Sequence, residues 1–329
     1  MKNISQNSTI PPICTCQLES WGLIFVEGPD AASFLQNQLT NSILGLDRIT
    51  TQRIAKTDGA VRLVGYCNPK GRLIASAWVT LLSVDETSDD RFALFISKDI
   101  AAAIAKRLSM YVLRSKVKVI DASADWSVSG FYGTNADIDK YELGPGEIGL
   151  LLPNVFLGQE AYGRGLIAAP NSNQIQKESG ELKMWNYLEV MSAIPRIVLA
   201  TQEQFVPQMI NFESVAGIDF KKGCYPGQEI VARSQYRGVI KRRLQLAHFM
   251  DYSTASVNIA PGVELFHTSD ASQPAGMVVL SAQSPFDIKR IDLQIECKLE
   301  ALEDGEIHLG NINGPVLKID PLPYPLIEI

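Results

Sequence analysis

Cys224 stands in the run Lys221-Lys222-Gly223-Cys224-Tyr225-Pro226-Gly227-Gln228-Glu229-Ile230-Val231-Ala232-Arg233, with two lysines before the thiol and an arginine after it. Positive charge nearby favours the thiolate, the form that acts as nucleophile or metal ligand. Gly223 and Gly227 predict positive φ on either side, and Pro226 fixes its own φ at about −65°, so a rigid exposed loop is expected. Ile230-Val231-Ala232 then reads as a short apolar strand step. The competing reading is a tight turn around a buried structural cysteine, because free cysteine is among the most buried residue types and no histidine base stands close in sequence.

The same loop opens a basic segment. Lys221, Lys222, Arg233, Arg237, Lys241, Arg242 and Arg243 face one acid, Glu229, a local balance of +6 in a chain of net charge −6. Such a segment is either a solvated face or a site for an anion: a carboxylate-tailed cofactor, a phosphate, or a limited patch of nucleic acid.

These residues need a scaffold, and the composition bounds it. A chain of 329 residues, 46% hydrophobic and 20% charged, is long enough for two or three domains with a sizeable core. A pI near 5.3 excludes wholesale coating of nucleic acid and leaves room for local contact. Cys14 and Cys16 form a C-x-C pair beside a polar end, Cys67 and Cys297 lie in strand-like runs, and no spacing predicts a metal site. His248, His267 and His308 are isolated and read as surface or barrel residues. No run approaches the ~20 apolar residues of a membrane span, so a cytoplasmic protein without membrane contact is expected.

Residues 1–14 read as a disordered polar tail. Leu23 to Val26 forms a strand that runs into Gly28-Pro29-Asp30, the opening of a helix carrying Ala31, Phe34 and Leu35. Trp21, just before that strand, reads as a core or edge aromatic. Val61 to Tyr66, Leu73 to Leu82 and Phe92 to Ile96 form a meander around an acidic loop at residues 85–90. Ser97 then caps a helix with Ile100, Ile104 and Leu108 on one face. Glu181 to Ile194 is the clearest helix, its face given by Met184, Tyr187, Leu188 and Met191 and its end by Pro195. Trp185 lies one step off that face, where a ring either covers a neighbouring strand or stays half-exposed and stacks on a flat ligand. After Arg243, short runs punctuated by Gly, Pro and Asn predict a small β-barrel. The expected division is a first α+β domain over 15–122, a second over 123–242 that ends in the cysteine motif, and a barrel over 243–329.

The cysteine run, followed by Tyr236-Arg237-Gly238 and Lys241-Arg242, resembles the signature of the YgfZ-type folate-binding, tRNA-modifying proteins, relatives of the T protein (aminomethyltransferase) of the glycine cleavage system. The likeness extends through Gly28-Pro29-Asp30, Gln38-Leu39-Thr40, the Asn68-Pro69-Lys70-Gly71 turn, Phe205-Val206-Pro207-Gln208 and Pro321-Leu322-Pro323-Tyr324. It implies an α+β, aminomethyltransferase-like fold of two mixed α/β domains and a C-terminal small β-barrel around a central channel that binds tetrahydrofolate. It further implies Trp21 and Trp185 at the folate, Cys224 as a functional thiol with Lys222 beside it, and Tyr225, Gln228, Glu229 and Arg233 in the cofactor-binding motif. The implied partners are iron-sulfur enzymes or assembly factors, with a weak tRNA contact.

One departure matters. The T protein carries an aspartate, thought to activate the folate nitrogen, on the strand after this turn, whereas here that stretch reads Leu73-Ile74-Ala75-Ser76-Ala77-Trp78. Without a carboxylate in reach of the reacting amine, aminomethyl transfer is disfavoured. The expectation is therefore an accessory factor for iron-sulfur cluster assembly or repair. The alternative is a folate-dependent one-carbon transferase acting on an unidentified amine or RNA. One cysteine does not hold a cluster alone, since these sites use four protein ligands, so any cluster contact is shared with a partner.

Overall fold

The computed structural model describes residues 13–50, 52–56, 59–83, 89–172, 180–250 and 258–327. Most of the expected tail and acidic loop lies outside them. The chain enters as β1 (Ile13–Gln17) and β2 (Trp21–Glu27), turns into α1 (Ala31–Gln36), and continues through β3 (Arg48–Thr50), β4 (Ile54–Ala55), β5 (Arg62–Cys67), β6 (Leu73–Ser83), β7 (Arg91–Ser97), α2 (Lys98–Met110) and β8 (Lys118–Asp121). Next come β9 (Trp126–Thr134), α3 (Asn135–Ile138), β10 (Ile148–Leu157), β11 (Glu160–Pro170) and α4 (Leu182–Met191). An irregular stretch with two 3-10 turns, Leu199–Thr201 and Pro207–Ile210, leads to α5 (Gln228–Tyr236). The remainder is strand: β12 (Arg242–Phe249), β13 (Glu264–His267), β14 (Asp270–Gln283), β15 (Ile291–Lys298), β16 (Ile307–Leu309) and β17 (Lys318–Asp320), with a 3-10 turn at Leu299–Leu302.

Three sheets result. The first runs β3-β6-β7-β2-β8, with β5 also paired to β6, and its near-continuous apolar strands are buried on both faces. Helix α2 buries Ile100, Ile104 and Leu108, as its spacing predicts. Ser97 stands at its N-cap, yet the hydroxyl donates to the Ile197 carbonyl at 2.7 Å instead of accepting from the helix. The supposed cap thus ties the meander to the irregular stretch after α4.

The second sheet runs β1-β9-β11-β10-β4. Ile13 and Cys14, expected in a polar tail, pair with Gly133 and Tyr132, and Cys14 and Cys16 are both buried. The edge of β9 offers an unpaired row of backbone groups, and pairing there outweighs the polar character of the preceding residues. Burial raises the Cys14 thiol above its ordinary range.

The third sheet, β16-β13-β14-β15-β12-β17, curls into a half-barrel, with a bridge from His308 of β16 to Val316, two residues before β17, and a core of its own around Leu265, Leu293 and Ile295. All three histidines lie on its strands. Gln294 of β15 donates from Nε2 to the carbonyls of Glu189 and Val190 at 3.1 and 3.0 Å, satisfying acceptors that the end of α4 leaves free. The barrel thereby fixes the helix that carries Trp185 and Glu189.

The apolar step expected at Ile230-Val231-Ala232 is not a strand but the first half of α5. Gly227, at φ 78°, caps the helix in the left-handed region, Val231 is buried, and Gln208 donates to the Val231 carbonyl at 2.9 Å. Three apolar residues are too few to fix a period, and the buried Val231 and Gln235 lie four apart on one helical face.

Candidate functional site

The cysteine loop is held against the Asn68–Gly71 turn by two glycines in contact. A Cβ on Gly227 would meet the Asn68 carbonyl oxygen and lie 2.7 Å from the Gly71 Cα, and one on Gly71 would lie 2.8 Å from the Ile230 Cβ. Both glycines have positive φ, so a side chain at either is strained as well as crowded. Gly223, expected to behave alike, has neither a positive φ nor any atom within 4 Å of a built Cβ. The two sequence motifs therefore meet on one side of the loop, and Cys224 is exposed on it, whereas the other four cysteines are buried.

Lys222 reaches the far end of α1. Its ammonium donates to the carbonyls of Gln36, the last residue of α1, and Leu39, just beyond it, and lies 5.2 Å from the centroid of the Tyr225 ring. Its charge is spent on acceptors that the short helix leaves free. Burial pulls the ammonium down to about 8. Tyr225 is itself buried, and burial pushes its phenol up. Gln228 and Glu229 open α5, and Arg233 is exposed in its last turn.

The two tryptophans belong to a different place. Trp21 and Trp78 line a narrow inner cleft with Ser76, Arg164, Glu189 and Arg196, whose free volume of about 10 Å³ is room for about one water. Arg196 donates from Nε and Nη2 to the two oxygens of Glu189 at 2.7 and 3.2 Å, and from Nη1 to the Ser97 hydroxyl at 3.0 Å, while its guanidinium lies over the Trp21 ring. The same Arg196–Glu189 pair lines an outer cavity of about 810 Å³ bordered by Lys98, Asn186, Leu199 and Leu280, within the size range of small-molecule sites. Trp185 is fully buried, not half-exposed: its ring packs on β9, where a Cβ on Gly130 would lie 2.5 Å from it. It covers a neighbouring strand, the first of the two roles its position allows. None of residues 222–233 lines the cleft or the outer cavity.

The inner cleft holds groups that the sequence reading passed over. Arg164 sits in the otherwise apolar run Gly163-Arg164-Gly165-Leu166-Ile167 of β11, and Glu189 in the apolar face of α4. A lone charge inside an apolar element was the available signal, since such groups persist only with a partner or a function. Burial lowers the Arg164 guanidinium to about 10. The cleft thus gathers Arg164, Arg196 and Glu189 beside the Trp21 ring, with Arg196 holding the Glu189 carboxylate and lying over the indole face.

The basic segment is partly neutralised within the fold. Arg243 pairs with Glu213 in the interior and Arg242 with Glu296 on β15, whereas Lys221, Arg233, Arg237 and Lys241 are exposed and have no ion pair among the described residues. Among these residues no group of three or more His, Cys, Asp or Glu could hold a metal ion, and no helix is long and apolar enough to cross a membrane.

No protein-family model matches the sequence. The tRNA-modifying protein YgfZ of Photobacterium profundum is 30% identical over 257 residues, which cover 74% of this chain and 72% of that protein. The chain belongs to the YgfZ family. The YgfZ protein of Photorhabdus laumondii is 25% identical over 345 residues, covering 98% of this chain and 95% of its own. The YgfZ family fold seen here is that of aminomethyltransferase T of the glycine cleavage system: the Bartonella henselae structure matches with a TM-score of 0.59 at 16% identity, covering 94% of this chain and 86% of that one.

Proposed function

We propose that this protein binds tetrahydrofolate in the cleft beside Trp21 and serves tRNA modification as an accessory factor, assisting the assembly or repair of iron-sulfur clusters in partner enzymes, with Cys224 as its functional thiol. Membership in a family of tRNA-modifying proteins and an aminomethyltransferase fold support the folate and tRNA parts of this reading. The observation that carries it is the outer cavity of about 810 Å³ that meets, at the Arg196–Glu189 pair, a cleft walled by an indole. A folate offers a flat ring with alternating donors and acceptors for the cleft and a tail for the outer cavity, where Lys98 stands with Glu19 and Asp99. Cys224 is kept apart from the ring on a docked, exposed loop, as suits a thiol that meets a partner protein.

The fold is shared with an aminomethyltransferase, but the transferase alternative needs a base at the reacting amine. At the place where a base is required, β6 carries Ser76, whose hydroxyl accepts the Ile197 amide at 2.9 Å, and the carboxylate of the cleft, Glu189, is held by Arg196. The test is complementation: cells lacking this protein are scored for iron-sulfur enzyme activities and tRNA modification, then supplied with wild type or Cys224→Ser. The wild type restores both and Cys224→Ser restores neither. Full restoration by Cys224→Ser removes the thiol from the account.

A further inference from the structure

Arg164 is 2% exposed, lines the inner cleft with Trp21, Ser76, Trp78 and Glu189, and its Nε has no hydrogen-bond partner. The carboxylate whose field reaches it, Glu189, already has both oxygens bound by Arg196. A second donor on the same cleft, the indole Nε1 of Trp21, is also without a partner. The guanidinium lies over the Trp185 ring, 5.8 Å from its centroid, but a ring face is no substitute for an acceptor at the buried Nε, and planar Arg donors are suited to oxygen acceptors. Two unpartnered donors lining a space whose one carboxylate is engaged are matched by a ligand atom that accepts, and an oxo oxygen is such an atom.

We propose that Arg164 is a ligand-reading residue: it binds an oxo oxygen on the ring that enters the cleft and rejects the same ring carrying an amino group there. The inference rests on the folate reading above, since a tetrahydropterin carries an oxo group at its position 4. An amino group at that position points N–H donors at a fixed cation and leaves the guanidinium unpaired. The free volume of about 10 Å³ admits one oxygen-sized group, and the rest of the ring takes the Trp21 face that the Arg196 guanidinium now covers.

The test compares tetrahydrofolate with its 4-amino counterpart, tetrahydroaminopterin, and with 6-methyltetrahydropterin, which lacks the glutamate tail, by calorimetry on the full chain. Wild type binds the oxo form about 100-fold more tightly than the amino form, as sites built around a buried polar partner do. In Arg164→Met and Arg164→Lys the oxo ligands lose most of that advantage while the amino form changes little. Melting curves establish that the variants fold, and the neutral Met variant removes a buried charge without opening a large void. Equal affinities in wild type overturn the inference and leave the folate reading standing, as does discrimination that survives in both variants. An Arg164 effect confined to the tailed folates assigns the guanidinium to the tail carboxylate and likewise overturns it. Absence of binding by every pteridine overturns the folate reading itself.

Discussion

Arg196 lies across the Trp21 ring, 4.7 Å from its centroid, with two of its nitrogens on the Glu189 carboxylate. A cation on an indole face fills the position a flat ligand would take, so the pair both shapes the cleft and guards it. Replacing Glu189 by Gln strands a largely buried guanidinium. Breaking such a pair costs about 3 kcal/mol. Urea denaturation should show that loss, with part of it recovered in the Glu189→Gln, Arg196→Met double variant. Stability unchanged in Glu189→Gln would mean that the pair contributes nothing to the cleft.

Gly227 and Gly223 flank Cys224 and should respond differently. Gly227→Ala forces a Cβ toward Asn68 at a positive φ and should cost about 1–2 kcal/mol or more, with faster alkylation of Cys224 as the loop lifts. Gly223→Ala, with open space around it, should stay within about 0.5 kcal/mol. Equal melting temperatures for the two variants would refute the docking of the loop on the turn.

Lys222 links the loop to pH. Burial depresses its ammonium to about 8, below the value the group has in an unfolded chain, so between these values the unfolded state binds more protons and stability rises with pH. The buried charge opposes folding in full below pH 8 and ceases to do so as pH approaches the unfolded value. Lys222→Met lacks this dependence. Melts at pH 7, 8.5 and 10 should therefore show wild type gaining on Lys222→Met as pH rises, and a constant difference would contradict the burial of the charge.

Lys221, Arg233, Arg237 and Lys241 remain available for an anion. Affinity for polyglutamylated folate, or for tRNA, should fall as the Debye length shrinks from ~10 Å at 0.1 M to ~3 Å at 1 M salt. Arg233→Ser with Arg237→Ser should flatten that slope. A salt-independent affinity for the folate with no tRNA retention at low salt makes the segment a solvated face.

The motif around Cys224, the meander, α4 and the barrel strands were legible because each repeats a local period or carries glycine and proline at turns. Three features were not. The helix at Gln228–Tyr236 is set by the left-handed Gly227 and by the Gln208 contact, both products of docking. Arg242 and Arg243 look like part of a basic face until Glu296 and Glu213, 54 and 30 residues away, are brought to them. Arg164, Glu189 and Arg196 come from β11, α4 and the stretch beyond it, so their convergence in one cleft is a property of topology. Trp185, one step off the apolar face of its helix, could cover a strand or stay half-exposed, and only the close approach of Gly130 on β9 decides for burial.

The most direct test is a calorimetric and fluorescence titration of tetrahydrofolate into the wild-type protein, Trp21→Ala, Trp185→Phe and Cys224→Ser. The account predicts saturable binding with tryptophan quenching, and an affinity about tenfold weaker in Trp21→Ala, the upper range of an aromatic contact of ~0.5–1.5 kcal/mol. Cys224→Ser should bind as wild type does, since its loop stands apart from the cleft. No heat and no quenching in the wild type, or an affinity untouched in both tryptophan variants, would contradict folate binding at this cleft.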